Sequence, residues 1–363
     1  YAAYLDLEMN VTEAWNVGAA LRYENFSDSG DDLVGKLSSR YEISDTFSIR
    51  GALSTGFRAP SLQQSAYTAF TTNLGPGGVL SPSFTATAGS AFPTALGVTE
   101  LELETTQNAS IGFVFDATDE ITITVDAYSV EISDRITLGS LLSPEQVAFN
   151  PAAVAALAAT GADQANYFSN SVNSTTKGLD IIVSYETSLA EGTFSATFAG
   201  NINSTKIDSV NTPQGIPKEV TLDSLQRSFL EDGQPQERAT LTFDYKQGKW
   251  SSILRANYFG ETNVTYFGND HIGLPGFLSP TGEFEATSVV ESAVLLDLNV
   301  AYQLSENVEL VAGVDNIFDV TPDELGEDEA LDFITQGAFK YPVRAVPYGF
   351  NGLSYFVRAN FSF

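Results

Sequence analysis

The stretch YGFNGLSYFVRANFSF, Tyr348 to Phe363, decides how the rest of the sequence is read. Counting back from its end, Phe363, Phe361, Ala359, Val357 and Tyr355 share one face, while Ser362, Asn360, Arg358 and Phe356 share the other. A two-residue period of this kind marks a strand with different surroundings on its two sides, one apolar and one mostly polar. By itself the strand fits the edge of a soluble sheet or the closing strand of an outer-membrane barrel.

The same alternation runs through most of the chain. Ala3, Leu5, Leu7, Met9 and Val11 oppose Tyr4, Asp6, Glu8 and Asn10, and Trp15 to Tyr23 repeat the pattern on odd positions. Further segments are read at 33–43, 47–58, 101–115, 121–128, 179–185, 194–202, 241–245, 250–258, 296–302 and 308–318, giving about thirteen strands. Many run to roughly ten residues, the length of a tilted membrane crossing.

The connections choose between the two readings. Every second one is short and polar: Thr12–Ala14, Ser44–Asp45, Thr118–Asp119, Ser188–Glu191, Gln247–Gly248 and Ser305–Glu306. The others are mostly long, near 59–99, 134–172, 207–235, 260–288 and 319–347, with only Asn25–Asp31 brief. Short turns at one end and long loops at the other are the asymmetry of an outer-membrane barrel, and they direct the long loops outward. Residues 1–363 thus form one all-β unit, a transmembrane antiparallel β-barrel portion. An odd number of antiparallel strands does not close the usual even-numbered barrel, so the expectation is a part of something larger. The start on Tyr1, inside a strand and without Met, agrees with an internal start.

Composition narrows the function. There are 25 Phe and 15 Tyr against one His, one Met and no Cys, and the 17 basic residues leave a net charge of -29. So few bases do not make a phosphate-binding surface, which excludes nucleic acid as a partner. No window of about 18 apolar residues exists for a helical span. Absence of Cys is compatible with export without disulfides.

No catalytic constellation is expected, and no cofactor or resident metal. His271, in FGNDHIG, is the single histidine and reads as loop surface, with ligand contact as the alternative. The acidic run Asp323, Glu324, Glu327, Asp328, Glu329 and Asp332 reads as a solvated loop, with calcium ligation as the alternative. Segment Ser143–Ala159 is expected to be helical from Pro144 and broken at Pro151. Loop aromatics Tyr67, Phe70, Tyr167, Phe168, Tyr266 and Phe267 suit loop packing or an interfacial girdle, and alternatively a ligand platform. The candidate ligand contacts are Tyr67, Phe70, Tyr167, Tyr266 and His271.

Several words go beyond periodicity. Ser54-Thr55-Gly56-Phe57-Arg58-Ala59-Pro60-Ser61-Leu62, Leu103-Glu104-Thr105-Thr106-Gln107-Asn108 before Ile111-Gly112, Asp126-Ala127-Tyr128, and Ile132-Ser133-Asp134-Arg135-Ile136 occur in that order. Thr176-Lys177-Gly178-Leu179-Asp180 and Val314-Asp315-Asn316-Ile317-Phe318-Asp319 follow. Together they resemble the successive motifs of TonB-dependent outer-membrane receptors. The resemblance implies a 22-stranded barrel, of which these would be the thirteen carboxyl-terminal strands, with a plug domain and coupling box that this sequence lacks. It also implies active uptake of a siderophore-iron or other metal complex, or of an oligosaccharide, across the outer membrane of a Gram-negative bacterium.

The partners implied are outer-membrane lipid and lipopolysaccharide, the inner-membrane TonB energy-coupling complex, the barrel-assembly machinery and a small-molecule or oligosaccharide ligand. Phe363, Phe361 and Tyr355 resemble the signal read during barrel assembly. The lumen would be lined by Arg22, Lys36, Arg40, Arg50, Glu102, Glu104, Asp126 and Arg255. A passive porin or adhesive barrel is the alternative; a barrel enzyme is disfavoured by the lack of a histidine on any strand. The scarcity of loop Lys and Arg points away from a strongly anionic ligand.

Overall fold

A computed structural model describes the chain except for residues 28, 75–79, 99, 214, 268–285, 326–338 and 363. Strands β1 (Ala2–Thr12), β2 (Trp15–Phe26), β3 (Gly30–Ser44) and β4 (Phe47–Arg58) form an up-and-down meander. It continues through β7 (Glu104–Asp116), β8 (Ile121–Leu138), β9 (Gln164–Leu189), β10 (Gly192–Val210), β11 (Glu237–Gln247) and β12 (Trp250–Phe259). It ends with β15 (Ala293–Ser305), β16 (Val308–Asp315) and β17 (Ser354–Phe361). These are the thirteen strands expected, each antiparallel to its neighbour. β5 (Ala69–Leu74) and β6 (Leu80–Ala86) make a hairpin in the first long loop, β6 lying parallel to the start of β9; β13 (Thr262–Phe267) and β14 (Ala286–Val290) make a separate hairpin.

Register ties the faces together. One unbroken row of cross-strand partners reads Trp15, Tyr41, Ile49, Phe113, Val125, Ile181, Gly200, Ala239, Tyr258 and Val294. Apart from Gly200 every member is apolar. The row starts beside a short turn and finishes beside a long loop, so the strands are staggered steadily in one direction, as a tilted barrel wall requires. Large apolar side chains on this face are bare: Leu53 is 63% exposed, Ile111 69% and Val357 81%. A patch of that extent is not kept in water and belongs against hydrocarbon. Near the short turns the face becomes aromatic, with Phe47 5.8 Å from Phe113, Tyr185 6.2 Å from Phe194 and Trp250 4.5 Å from Tyr302. Those rings form an interfacial belt.

The opposite face is polar. Its parallel row runs Asn16, Arg40, Arg50, Gly112, Asp126, Asp180, Asn201 and Arg238. Glycines on this side are where neighbours lie flat. Arg50 reaches over Gly112 to grip Asp126, and a Cβ on Gly112 would meet the Asp126 carboxylate at 2.1 Å. The Tyr128 ring lies over Gly178, where a Cβ would sit 2.4 Å from it, and its hydroxyl accepts a hydrogen bond from Asn201 Nδ2 at 3.1 Å. Aromatic cover of a strand glycine restores packing that the glycine gives up.

The buried hydrophobic core lies in the long-loop layer. Phe92, Leu142, Val147, Leu157, Tyr167, Ile216 and Val220 form one cluster, built from three different long loops. The helix expected from Pro144 begins instead at Pro151: α3 spans Pro151–Thr160, capped by Asn150, whose side chain accepts from Ala152 and Ala153 N–H, and ended by Gly161 at φ 75°. Proline fits the first helical turn and disfavours a helix just before it, so Pro151 starts this helix and does not break one. Strand ends depart from the alternation in both directions: β7 begins at Glu104 and not at Leu101, β16 ends at Asp315 and not at Phe318, and others reach further than expected. β8 runs to Leu138 and β9 starts at Gln164, so the loop placed at 134–172 narrows to 139–163.

Gly178→Ala is expected to destabilise the barrel by about 1–3 kcal/mol through this overlap, and Tyr128→Ala in the same chain should recover part of the loss. Heat-modifiable gel migration of the refolded proteins measures both.

Candidate functional site

The rim of the polar face, where the strands pass into the long loops, holds the most densely bonded charged group among the described residues. Glu104 opens β7 and is buried at 4% exposure. Its two carboxylate oxygens each accept a 2.5 Å hydrogen bond from Arg58, the last residue of β4, and Oε1 also accepts the Ile136 N–H at 2.6 Å. Arg58 donates a further bond of 3.3 Å to Gln64 Oε1. Gln64 belongs to α1 (Leu62–Ala66), whose capping box joins Ser61 and Gln64 reciprocally. The short helix is thus set on the rim by Arg58, and Tyr67 follows directly as its C-cap.

A β-bulge between Ile132 and Arg135 shapes the other side. Asp134 takes a left-handed backbone there, φ 56°, with its N–H held by Asn173 Oδ1 at 2.9 Å. Asn170 bonds the backbone of Glu102 and the Asp134 carbonyl together. The bulge brings Arg135 beside Glu104 and Arg58, and desolvation is the main influence lowering its guanidinium pKa, opposed by Glu104 and reinforced by Arg58. Three of the sequence words therefore meet at one carboxylate. Arg58 comes from the first, Glu104 from the second and Arg135 from the fourth.

The candidate ligand contacts are dispersed. Tyr67 and Phe70 are exposed at 43% and 56%, on the loop layer beside the rim, Phe70 with its ring 5.3 Å from Phe84. Tyr167 is buried in the loop core, 6.0 Å from Phe92, and burial pushes its phenol up to about 12. That ring packs the loops and is not presented to solvent. Tyr266 lies in β13 with its side chain outside the described residues, and His271 lies wholly outside them. In the acidic run, Glu324 pairs with Lys340 at 2.9 Å and Asp323 accepts the Glu291 N–H at 2.9 Å; Glu327, Asp328, Glu329 and Asp332 lie outside the described residues. Among the described residues no cluster of three or more metal-ligating side chains exists. Tyr355 and Phe361 stand exposed on the apolar face of β17, and Phe363 is outside the described residues.

A lipid-facing wall, a polar inner face and a loop layer above define an outer-membrane β-barrel. The chain belongs to the TonB dependent receptor-like, beta-barrel family, whose model matches residues 1–317. Solved structures of similar fold include the siderophore receptor PirA from Acinetobacter baumannii, at 18% identity and TM-score 0.63, covering 100% of this chain and 45% of that one. The ferric enterobactin receptor PfeA from Pseudomonas aeruginosa follows at 14%, TM-score 0.61, covering 100% and 45%. The copper transporter OprC stands at 16% and TM-score 0.56, covering 100% and 47%. The chain therefore spans under half the length of these solved proteins. No curated protein sequence matches it.

Two outcomes are expected from the site. Glu104→Gln should cost about 1–3 kcal/mol, since it strips charge from a buried acceptor of three bonds, whereas Glu24→Gln at the exposed Arg22 pair should cost less than about 1 kcal/mol; thermal unfolding in detergent compares them. For Tyr167 the folded pKa exceeds the ordinary 10.0, so its contribution to stability is complete below pH 10 and is lost as pH rises toward about 12. Phenolate absorbance should show a component titrating near 12 that disappears in Tyr167→Phe.

Proposed function

We propose that this chain is a portion of the barrel of a TonB-dependent receptor that takes up a scarce nutrient, a metal complex or an oligosaccharide, across the outer membrane. The family match over residues 1–317 carries the reading. In it, the apolar row meets lipid and lipopolysaccharide, the polar row lines the lumen, and the loop layer with Tyr67 and Phe70 catches the ligand. Coupling would reach the inner-membrane TonB complex through parts of the protein beyond this chain. Phe363, with Phe361 and Tyr355, would be read by the assembly machinery. No covalent chemistry is assigned to any residue.

The bonded rim supports this reading physically. A loop layer that discriminates ligands must be held in one shape, and Glu104, Asn170 and Asn173 tie its roots to the strands. With candidate ligands labelled in turn, uptake by cells carrying the intact receptor should vanish when the coupling protein is deleted. Uptake that persists in that strain overturns active transport and leaves a passive pore.

A further inference from the structure

We propose that a groove across the lipid-facing side of β2, β3, β4, β7 and β8, with Lys177 and Lys206 at its outer end, binds one phosphorylated saccharolipid of the outer leaflet. The site goes beyond the uptake reading and rests only on the outer-membrane setting of the wall.

A cavity of about 670 Å³ opens on this face, and its two banks are rows of cross-strand partners. One bank is Ala19, Leu37, Leu53, Ala109 and Ser129; the other is Leu21, Gly35, Thr55, Gln107 and Glu131. By their parity all of these share the face of Ile49, Phe113 and Val125. Ala20, Lys36, Ser54 and Asn108 lie between the banks with their side chains on the opposite face, so backbone makes the floor. The groove exists because Ala19, Gly35 and Ala109 leave gaps beside Leu21, Leu37 and Leu53. Four strand spacings of about 4.8 Å make it roughly 19 Å long, room for most of an extended acyl chain. Each of the five strands has both of its neighbours within this chain, so this stretch of wall is complete as it stands.

The groove has a direction. Cross-strand rows climb from the short turns toward the long loops in passing from β2 to β12, so its β2 end lies deeper in hydrocarbon and its β8 end lies nearer the outside. Leucines and alanines line the deep end, while Thr55, Gln107, Ser129 and Glu131 line the outer one. On β9, Lys177 is the partner of Ser129 and Thr175 the partner of Glu131. On β10, Ser204 opposes Lys177 and Lys206 opposes Thr175. Lys177 and Lys206 are therefore diagonal neighbours about 7 Å apart on the outward face, both exposed. Two flexible ammonium arms at that spacing can close on a single phosphate. Glu131 and Asp208 flank them, Asp208 accepting a 2.6 Å bond from Thr175 Oγ1, so the positive spot is local and fits one phosphate group. The hydroxyls and amide of Thr55, Gln107, Ser129, Thr175 and Ser204 suit sugar hydroxyls, which favours a saccharolipid over a glycerophospholipid.

Full-length receptor in nonionic detergent is titrated with purified diphosphoryl lipid A and, separately, with phosphatidylglycerol, and retained lipid is read by native mass spectrometry. Lys177→Gln combined with Lys206→Gln should weaken lipid A retention about ten-fold. Ala109→Phe, which fills the groove and leaves both lysines, should weaken it several-fold, and Lys246→Gln beside a short turn should change nothing. Every altered position of the first two variants is exposed on the wall, and heat-modifiable migration verifies their fold. Failure of the wild type to retain lipid A, or unchanged retention in either the lysine variant or Ala109→Phe, overturns the site. Phosphatidylglycerol held as tightly as lipid A, with the same losses in the variants, also overturns it, by making the occupant any anionic lipid. Coupling-dependent uptake is a separate measurement: its failure removes the transport reading and leaves this site standing.

Discussion

Hydrocarbon offers no hydrogen bonds, and every backbone amide that enters it must find its partner on a neighbouring strand. All else in this fold follows from that condition. It imposes a long antiparallel meander, and pairing in turn imposes a period of two, so each strand has one lipid face and one inner face. The row from Trp15 to Val294 is the visible result, an apolar line kept through ten strands by register alone. Slipping β4 or β8 by a single residue would present Arg50 or Asp126 to lipid.

The inner face meets a different demand, because it carries charge without the support of a packed core. Its answer is local pairing across glycines. Arg50 and Asp126 lie over Gly112, and Tyr128 lies over Gly178 to reach Asn201. Directly opposed Arg40 and Arg50 would repel if both were left bare. Asp126 takes one of them and Glu42, at 3.3 Å, the other. The compact hydrophobic cluster is displaced to the loops, which are the one part of the chain surrounded by water on all sides and therefore the one part with reason to bury apolar groups in the ordinary way.

The strands were legible because alternation is a property of each segment by itself, and loop asymmetry is a property of their order. Thirteen strands and their direction needed nothing more. What was hidden depended on breaks in the alternation. Arg135 is odd-numbered on a strand whose odd positions, Ile121 to Ala127, face lipid, and only the bulge at Asp134 moves it to the side of Glu104. Glu104 itself was visible as a lumenal residue, but its convergence with Arg58 and Arg135 is a tertiary fact spread over three sequence words. Tyr167 was drawn to attention as a loop aromatic, and its interior position follows from β6 pairing alongside β9, a parallel contact with no local signal. Pro151 illustrates the same limit on a smaller scale: the residue type was noticed, and its position relative to Asn150 settled whether it stops or starts a helix.

The length of β9 has a consequence for the loop layer. Its 26 residues, at about 3.3 Å each, extend roughly twice as far as a tilted crossing of hydrocarbon about 30 Å thick needs. Together with β8 it continues outward as a paired ribbon, braced by β6 and the loop cluster. The outer half of that ribbon is buried beneath the loops, Ala165 and Val172 at 0% exposure and Ser174 at 1%. The barrel wall therefore serves as the core of its own loop layer, and β9 cannot be shortened without loosening every loop packed on it.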